Sequence, residues 1–427
     1  SLRPDHLSCY GYGRRTSPTL DALAAEGTIF THCHASNAPC LPGRAAIFSG
    51  RFGVKTGAAT NDETAPFRFP HKSLGLDAPL LQDHLAAHGY HTVAFSTFAK
   101  RHEAYWYPYG WSQHHDPRPR DSEERADEVN AYVLPWLRRH IAEDKLVIHI
   151  QYWDIHAHYR TPENRVHLFD GDPAPDWPDE PTIRHDYELM YGPRTARDLY
   201  TGNADEDRAP VPCMPDHIES RGDFVKMINA YDATLRYTDD HLAQIVEVVR
   251  EAGVYDETAF VITADHGECF GEQGIYVDHC LANEAVSRVP MIVRWPGGGN
   301  GVKSSALFHA LDLGPTLCDL LGIPTPAGWD GRSMADAVRG AEMGGRPYLV
   351  CDYGAYTLQR SVRTRDWMLV RTLHPGLYRY DEDLWLYDMN ADPNQTRNLA
   401  GERPDVVRDH LAMLDNWWDE HAAPNQP

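Results

Sequence analysis

Ala259-Phe-Val-Ile-Thr263-Ala-Asp265-His266-Gly267-Glu268 decides the architecture, because a short apolar run passes directly into a carboxylate and an imidazole. A strand of that length, apolar throughout, belongs to a sheet covered on both faces. Upstream, Ile228 to Ala252 reads as a long helix that stops at Gly253. The same order recurs along the chain. A helix from Thr19, with Leu20, Leu23 and Ala24 on one face, stops at Gly27 and leads into the strand Thr28-Ile-Phe-Thr31. Pro79 to His88 reads as a helix, His91 to Phe95 as a strand, and Lys145 to Tyr152 as another apolar strand. This alternation predicts an α/β fold: a large, mostly parallel sheet sandwiched by helices. Ligands of such sheets bind beyond the strands' carboxyl ends. Asp265-His266 and Asp154-Ile-His156-Ala-His158 both fall there.

Two segments depart from that rhythm. Residues 162–221 are rich in Pro, Asp, Arg and Tyr without periodicity and read as a long insertion bordering the site. A polar, Gly-containing stretch at 331–345 marks a boundary. Beyond it, Tyr348 to Asp352, Gln359 to Val362 and Trp367 to Leu373 read as strands and Asp405 to Trp418 as a helix, giving a smaller C-terminal antiparallel sheet with a helix. The expected division is a catalytic α/β domain over 1–338 and a small α+β subdomain over 339–427.

With 42% hydrophobic and 24% charged residues among 427, the chain has the composition of a globular protein. No apolar run approaches the roughly 18 residues of a membrane span, so no membrane is expected as partner. A net charge of −22 with no basic run argues against a nucleic-acid surface. An anionic substrate therefore needs a locally positive pocket. The eight cysteines are scattered and imply no disulfide framework. The opening Ser1-Leu-Arg-Pro-Asp-His6 reads as the loop after a first strand that lies upstream, with a signal peptide before it left open. The compartment, cytoplasmic or periplasmic or secreted, stays open as well.

Cys40-Leu-Pro-Gly-Arg44 precedes a helix-favouring run, which places the cysteine near a helix N-terminus, where N–H groups and the dipole favour an anion. A buried structural thiol satisfies the same residues. Asp265 and His266 taken alone read first as a helix-capping Asp beside a surface His, and they also suit a divalent cation.

The Cys40-to-Arg44 stretch resembles the C-x-P-x-R core of the sulfatases of the alkaline phosphatase superfamily, and Thr263 to Glu268 resembles their T-x-D-H/N-G metal segment. Leu2 to Gly11, Ser17 to Gly27, Tyr152 to His156, Arg288 to Arg294, Leu311 to Thr316 and Leu386 to Pro393 resemble further sulfatase segments in the family's order. The resemblance implies that Cys40 is oxidised to formylglycine by a formylglycine-generating enzyme. The aldehyde hydrate then attacks sulfur, displaces the alcohol and leaves a sulfated hemiacetal that collapses to aldehyde and sulfate. It implies Asp265, His266 and the modified Cys40 as ligands of a divalent metal, calcium first with manganese or magnesium open. A further acidic ligand is expected at or just before Ser1. The resemblance further implies that Arg44 holds the hydrate and the metal-side charge, its planar fork suiting oxyanions, and that His156 is the general acid that an alkoxide leaving group needs.

His279 occupies the place of a sulfate-binding lysine, and Lys100 and His102 that of a second basic pair. Gly43 stands where the family usually has serine. The aromatic run Tyr105-Trp-Tyr-Pro-Tyr109 and Trp111 fits sugar stacking or packing. The expected activity is hydrolysis of a sulfate monoester, on a carbohydrate or other small molecule. Phosphonate or phosphate ester hydrolysis and an inactive binding protein are the alternatives. Oligomeric state is open.

Overall fold

The computed structural model describes residues 1–61, 78–117, 124–190, 192–199, 214–279, 281–378 and 382–422. Cys213, Cys280 and part of the 162–221 segment lie outside the described residues. The main sheet runs in the order Val302–His309, Thr28–His34, Met291–Arg294, Phe260–Thr263. Thr28–His34 is parallel to Val302–His309, with Ile29 opposite Lys303, and antiparallel to Met291–Arg294. Met291–Arg294 is in turn antiparallel to Phe260–Thr263. Gln113–His115, His91–Phe95 and Leu146–Ile150 form a second sheet, parallel throughout. The α/β expectation holds, with both senses of pairing present.

Each site-bearing strand ends where a helix supports it. Arg221–Glu251 spans 31 residues and begins seven positions before the sequence reading placed it. Its start is fixed by a capping box: the Ser220 hydroxyl accepts from Asp223 N and the Asp223 carboxylate accepts from Ser220 N. Phe224, Met227, Ile228 and Tyr231 on its first half join one core with Phe270 and Tyr276. Val246 and Val249 on its second half pack with Phe260 and Phe95 in another. Each of these buried side chains contributes about 1.5–3 kcal/mol. The core thus clamps both flanks of the turn that carries Asp265.

Leu349–Gly354, Leu358–Arg363, Trp367–His374 and Leu384–Asp388 form the smaller antiparallel sheet. The helix Pro404–His421 covers it, setting Leu414 and Trp417 against Val350 and Val362. One further strand belongs to this sheet: Asn37–Ala38, parallel to Leu349–Gly354 and two residues ahead of Cys40. Within the 162–221 segment lies the helix Glu180–Leu189, capped by Asp179, whose carboxylate accepts from Thr182 N. Arg194 from the same segment is buried and pairs with Asp278 at 3.3 Å. The insertion is therefore bolted to the residue next to His279.

Candidate active site

Cys40 is the first residue of the helix Cys40–Ser49, which is almost wholly buried. Asn61 Oδ1 accepts from Leu41 N at 2.8 Å and Pro39 O accepts from Gly43 N at 2.9 Å, so the first turn is held from both sides. Gly43 has a steric cause. A Cβ at this position would stand 2.8 Å from the carbonyl oxygen of Asp265 and 3.0 Å from that of Asn37. The missing side chain lets the helix that opens with Cys40 press directly against the turn that carries Asp265.

Three imidazoles and a carboxylate surround the Cys40 sulfur. His266 Nδ1 lies 2.8 Å from Gly267 O, and a carbonyl can only accept, so that nitrogen carries the proton. The thiol therefore donates to His266 Nε2, 3.1 Å away. His279 Nε2 is 4.0 Å from the sulfur, its ring stacked on that of His266 with centroids 4.1 Å apart. His156 Nδ1 donates to Ala157 O at 2.8 Å, which leaves its Nε2 as an acceptor facing the site. Burial, then the charge of Asp265, pushes the Cys40 thiol up to about 11. Burial lowers His279 to about 4 and holds His266 and His156 well below the ordinary imidazole value; for His156 the Arg101 charge adds to the effect.

Arg44 closes the opposite side. Its Nε donates to Asp265 Oδ2 at 2.8 Å, and its guanidinium lies 4.5 Å from the Phe98 ring centre and 5.2 Å from that of Trp153. Burial works to raise the Asp265 carboxyl, but Arg44 and then His266 hold it well below the usual range. Ser1, where the resemblance expects the strand bearing the further acidic ligand to end, also borders the site, with its backbone nitrogen 3.8 Å from Asp265 Oδ1.

Asp154 does not turn toward this cluster. Its carboxylate accepts from Ala126 N at 2.9 Å, capping the helix Ala126–His140, and burial raises it to about 7. The D-x-H spacing thus sends the acid to a helix N-terminus and the imidazole to the sulfur. His158 accepts from Arg194 Nη1 at 3.4 Å and joins the insertion to the site.

The second basic pair divides. Lys100 is exposed on the short helix Phe98–Arg101, whereas His102 is half-buried, its ring 6.2 Å from Trp153 and its Nε2 without a hydrogen-bond partner. Between them in sequence, Arg101 stacks on Trp153 at 4.7 Å, and its charge lowers Cys40, His102 and His156 alike. Trp153 therefore carries two guanidiniums, Arg44 and Arg101. Its indole N–H donates to Thr97 Oγ1 at 2.8 Å, and Thr97 in turn hydrogen-bonds buried Glu124. The aromatic run splits as well: Trp106 and Tyr107 are fully buried, while Tyr105 and Tyr109 are exposed.

Among the described residues, two overlapping donor sets share the Cys40 sulfur: one with Asp265 and His266, the other with His156 and His279. Within each set the donor atoms lie within 4.8 Å of one another. The first offers an oxygen, a nitrogen and a sulfur, a cluster suited to a divalent metal.

Comparison with known proteins bears on this cluster. The Sulfatase family profile matches residues 1–323, the greater part of the chain and all of the cluster. The chain belongs to the sulfatase family. A second profile, the C-terminal region of N-sulphoglucosamine sulphohydrolase, matches residues 271–414. The N-acetylglucosamine-6-O-sulfatase of Bacteroides thetaiotaomicron is 22% identical over 93% of this chain and 80% of that protein. One similar solved structure holds its substrate D-glucosamine-2-N,6-O-disulfate; it has a TM-score of 0.79 at 19% identity and covers 100% of this chain and 97% of that one. The phosphonate monoester hydrolase of Agrobacterium radiobacter has a TM-score of 0.75 at 19% identity, covering 100% and 94%. These structural likenesses show a shared fold.

In this sulfatase, the residues brought together are Cys40, Arg44, His156, Asp265, His266 and His279, with His102 at the margin. Sequence reasoning passed over Arg101, which lies between the two residues it singled out, and Trp153, read only as the residue before Asp154. A Trp next to a D-x-H segment was the available signal. Among the described residues, no helix is long and apolar enough to cross a membrane.

Proposed function

We propose that this sulfatase-family chain is a formylglycine-dependent hydrolase of sulfate monoesters carried on carbohydrates. The observation that supports it is the position of Cys40: the first residue of a buried helix, with its sulfur among His266, His279 and His156 and with Arg44 one turn away. A formylglycine-generating enzyme would convert Cys40. Asp265, His266 and the new oxygen of residue 40 would hold the divalent ion, calcium being the one the resemblance implies. Once in place, the aldehyde supplies a nucleophilic hydrate and the ion supplies Lewis-acid polarisation of the sulfate oxygens.

The side chains do the rest. Arg44 and Arg101, fixed against one indole, present two guanidiniums to a tetrahedral anion, and His279 and His102 line the same space; Lys100 extends it at the surface. The free site holds His156 neutral. An anionic ester beside it raises its proton affinity, so that Nε2 carries the proton to the departing oxygen. Exposed Tyr105 and Tyr109 offer rings to a sugar face.

The test is the mass of the Cys40 peptide from a host that contains the modifying enzyme. The expected peptide carries an aldehyde in place of the thiol. An intact thiol in fully active protein would remove the proposed nucleophile.

A further inference from the structure

The donor set that joins Cys40 to His156 and His279 has a chemistry of its own, although the His279 ring stacks on that of His266 with centroids 4.1 Å apart. His156 and His279 converge with the Cys40 sulfur, all three donor atoms within 4.8 Å of one another. The Nδ1 of His156 is tied to Ala157 O at 2.8 Å, and a carbonyl on the remote ring nitrogen orients metal-ligating histidines. The Nδ1 of His279 stands 3.4 Å from Asp278 Oδ1 without a hydrogen bond, and that oxygen accepts from His279 N at 2.6 Å. Asp278 is itself held by Arg194 at 3.3 Å. The His279 Nε2 to sulfur separation of 4.0 Å is near the roughly 3.5 Å edge of a tetrahedron built with Zn–S of about 2.3 Å and Zn–N of about 2.0–2.1 Å. Thiol and imidazole donors without a carboxylate favour zinc-like ions over calcium or magnesium.

We infer that the thiol form of this chain binds a thiophilic divalent ion, zinc or cobalt, through the donor set Cys40, His156 and His279 rather than through Asp265 and His266. Binding breaks the S–H bond and forms a metal–sulfur bond. The released proton passes to His266 Nε2, the acceptor of that hydrogen bond at 3.1 Å, and from there to solvent. Oxidation of Cys40 to an aldehyde removes the sulfur ligand, so this site exists only before maturation, and an ion in it shields the thiol from modification. The inference does not depend on which ester the mature protein cleaves.

Cobalt(II) titration of protein made without the modifying enzyme tests it. The expected result is one equivalent of cobalt bound with a sulfur-to-cobalt charge-transfer band, which Cys40→Ser and His279→Ala abolish and Asp265→Asn retains. Asp278→Asn, which removes the charge that pairs with Arg194 and faces His279, weakens cobalt binding by about 10- to 100-fold. Circular dichroism of each variant reports whether it is folded. Absence of the band in the unsubstituted protein, or its loss in folded Asp265→Asn with survival in His279→Ala, overturns the assignment.

Discussion

Arg44 and Asp265 form a buried ion pair, Nε to Oδ2 2.8 Å, that joins the helix opening with Cys40 to the strand end carrying His266. In the proposed site both partners serve the chemistry, so neither is expected to change alone. Arg44→Ala leaves the carboxylate buried without its partner and is expected to cost roughly 3–5 kcal/mol of stability. Urea unfolding measures this. Arg44→Lys retains the charge but not the planar fork; it unfolds close to the parent yet loses on the order of 10²-fold in kcat.

Gly43→Ser restores the family's usual residue and, in this chain, should destabilise. Its Cβ meets two carbonyl oxygens on elements that cannot move independently. The expected cost is about 1–3 kcal/mol. A variant as stable as the parent in urea would show that the helix and the Asp265 turn can separate.

Arg101 is expected to bind the anion rather than to hold the fold. Arg101→Ala should raise KM for sulfate esters and weaken inhibition by inorganic sulfate, with the unfolding midpoint unchanged. Lys100→Ala should leave KM for a small aryl sulfate nearly unchanged. Equal effects from the two variants would assign the anion contact to surface charge alone.

His156→Ala separates leaving groups. With an alkyl sulfate, whose alkoxide needs a proton, the rate falls by about 10²–10⁴. An aryl sulfate, whose phenolate leaves unaided, loses far less. A uniform loss across both esters would deny His156 the proton-donating role.

Asp186 gives a pH-dependent contribution away from the site. Burial raises its carboxyl to about 6, against the hydrogen bond from Tyr276 at 2.7 Å and the charge of His185. The folded state therefore binds this proton more tightly than the unfolded state. The associated stability is full below about pH 4 and is lost as pH rises through about 6, a swing of roughly 2–3 kcal/mol. Asp186→Asn removes that swing. Parent and variant should thus diverge in urea stability between pH 4 and 7, with the variant gaining; parallel curves would contradict the buried carboxyl.

Much of this arrangement was legible in residue order, for physical reasons. Runs such as Phe260–Thr263 and Thr28-Ile-Phe-Thr31 announce themselves by apolar content, and Gly253 and Gly27 punctuate the helices before them. The site residues Cys40, Asp265 and His156 follow those runs at strand or helix ends, where position alone is informative. Other features depend on pairing across distance. The antiparallel sense of Met291–Arg294 is set by its partners, and Asn37–Ala38 becomes a strand only through Leu349–Gly354. Arg101 and Trp153 escaped because a cation resting on an indole leaves no spacing pattern. Asp154 escaped its true role for the opposite reason: its spacing to His156 suggested a shared site, but its carboxylate caps Ala126.

The central claim is tested most directly by kcat/KM of one formylglycine-containing preparation on an aryl sulfate, a phosphonate monoester and a phosphate diester bearing the same leaving group, with Cys40→Ala giving the background rate. Preference for the sulfate, and background turnover alone in Cys40→Ala, is the predicted result. Preference for either phosphorus ester, or substantial turnover without Cys40, contradicts the account.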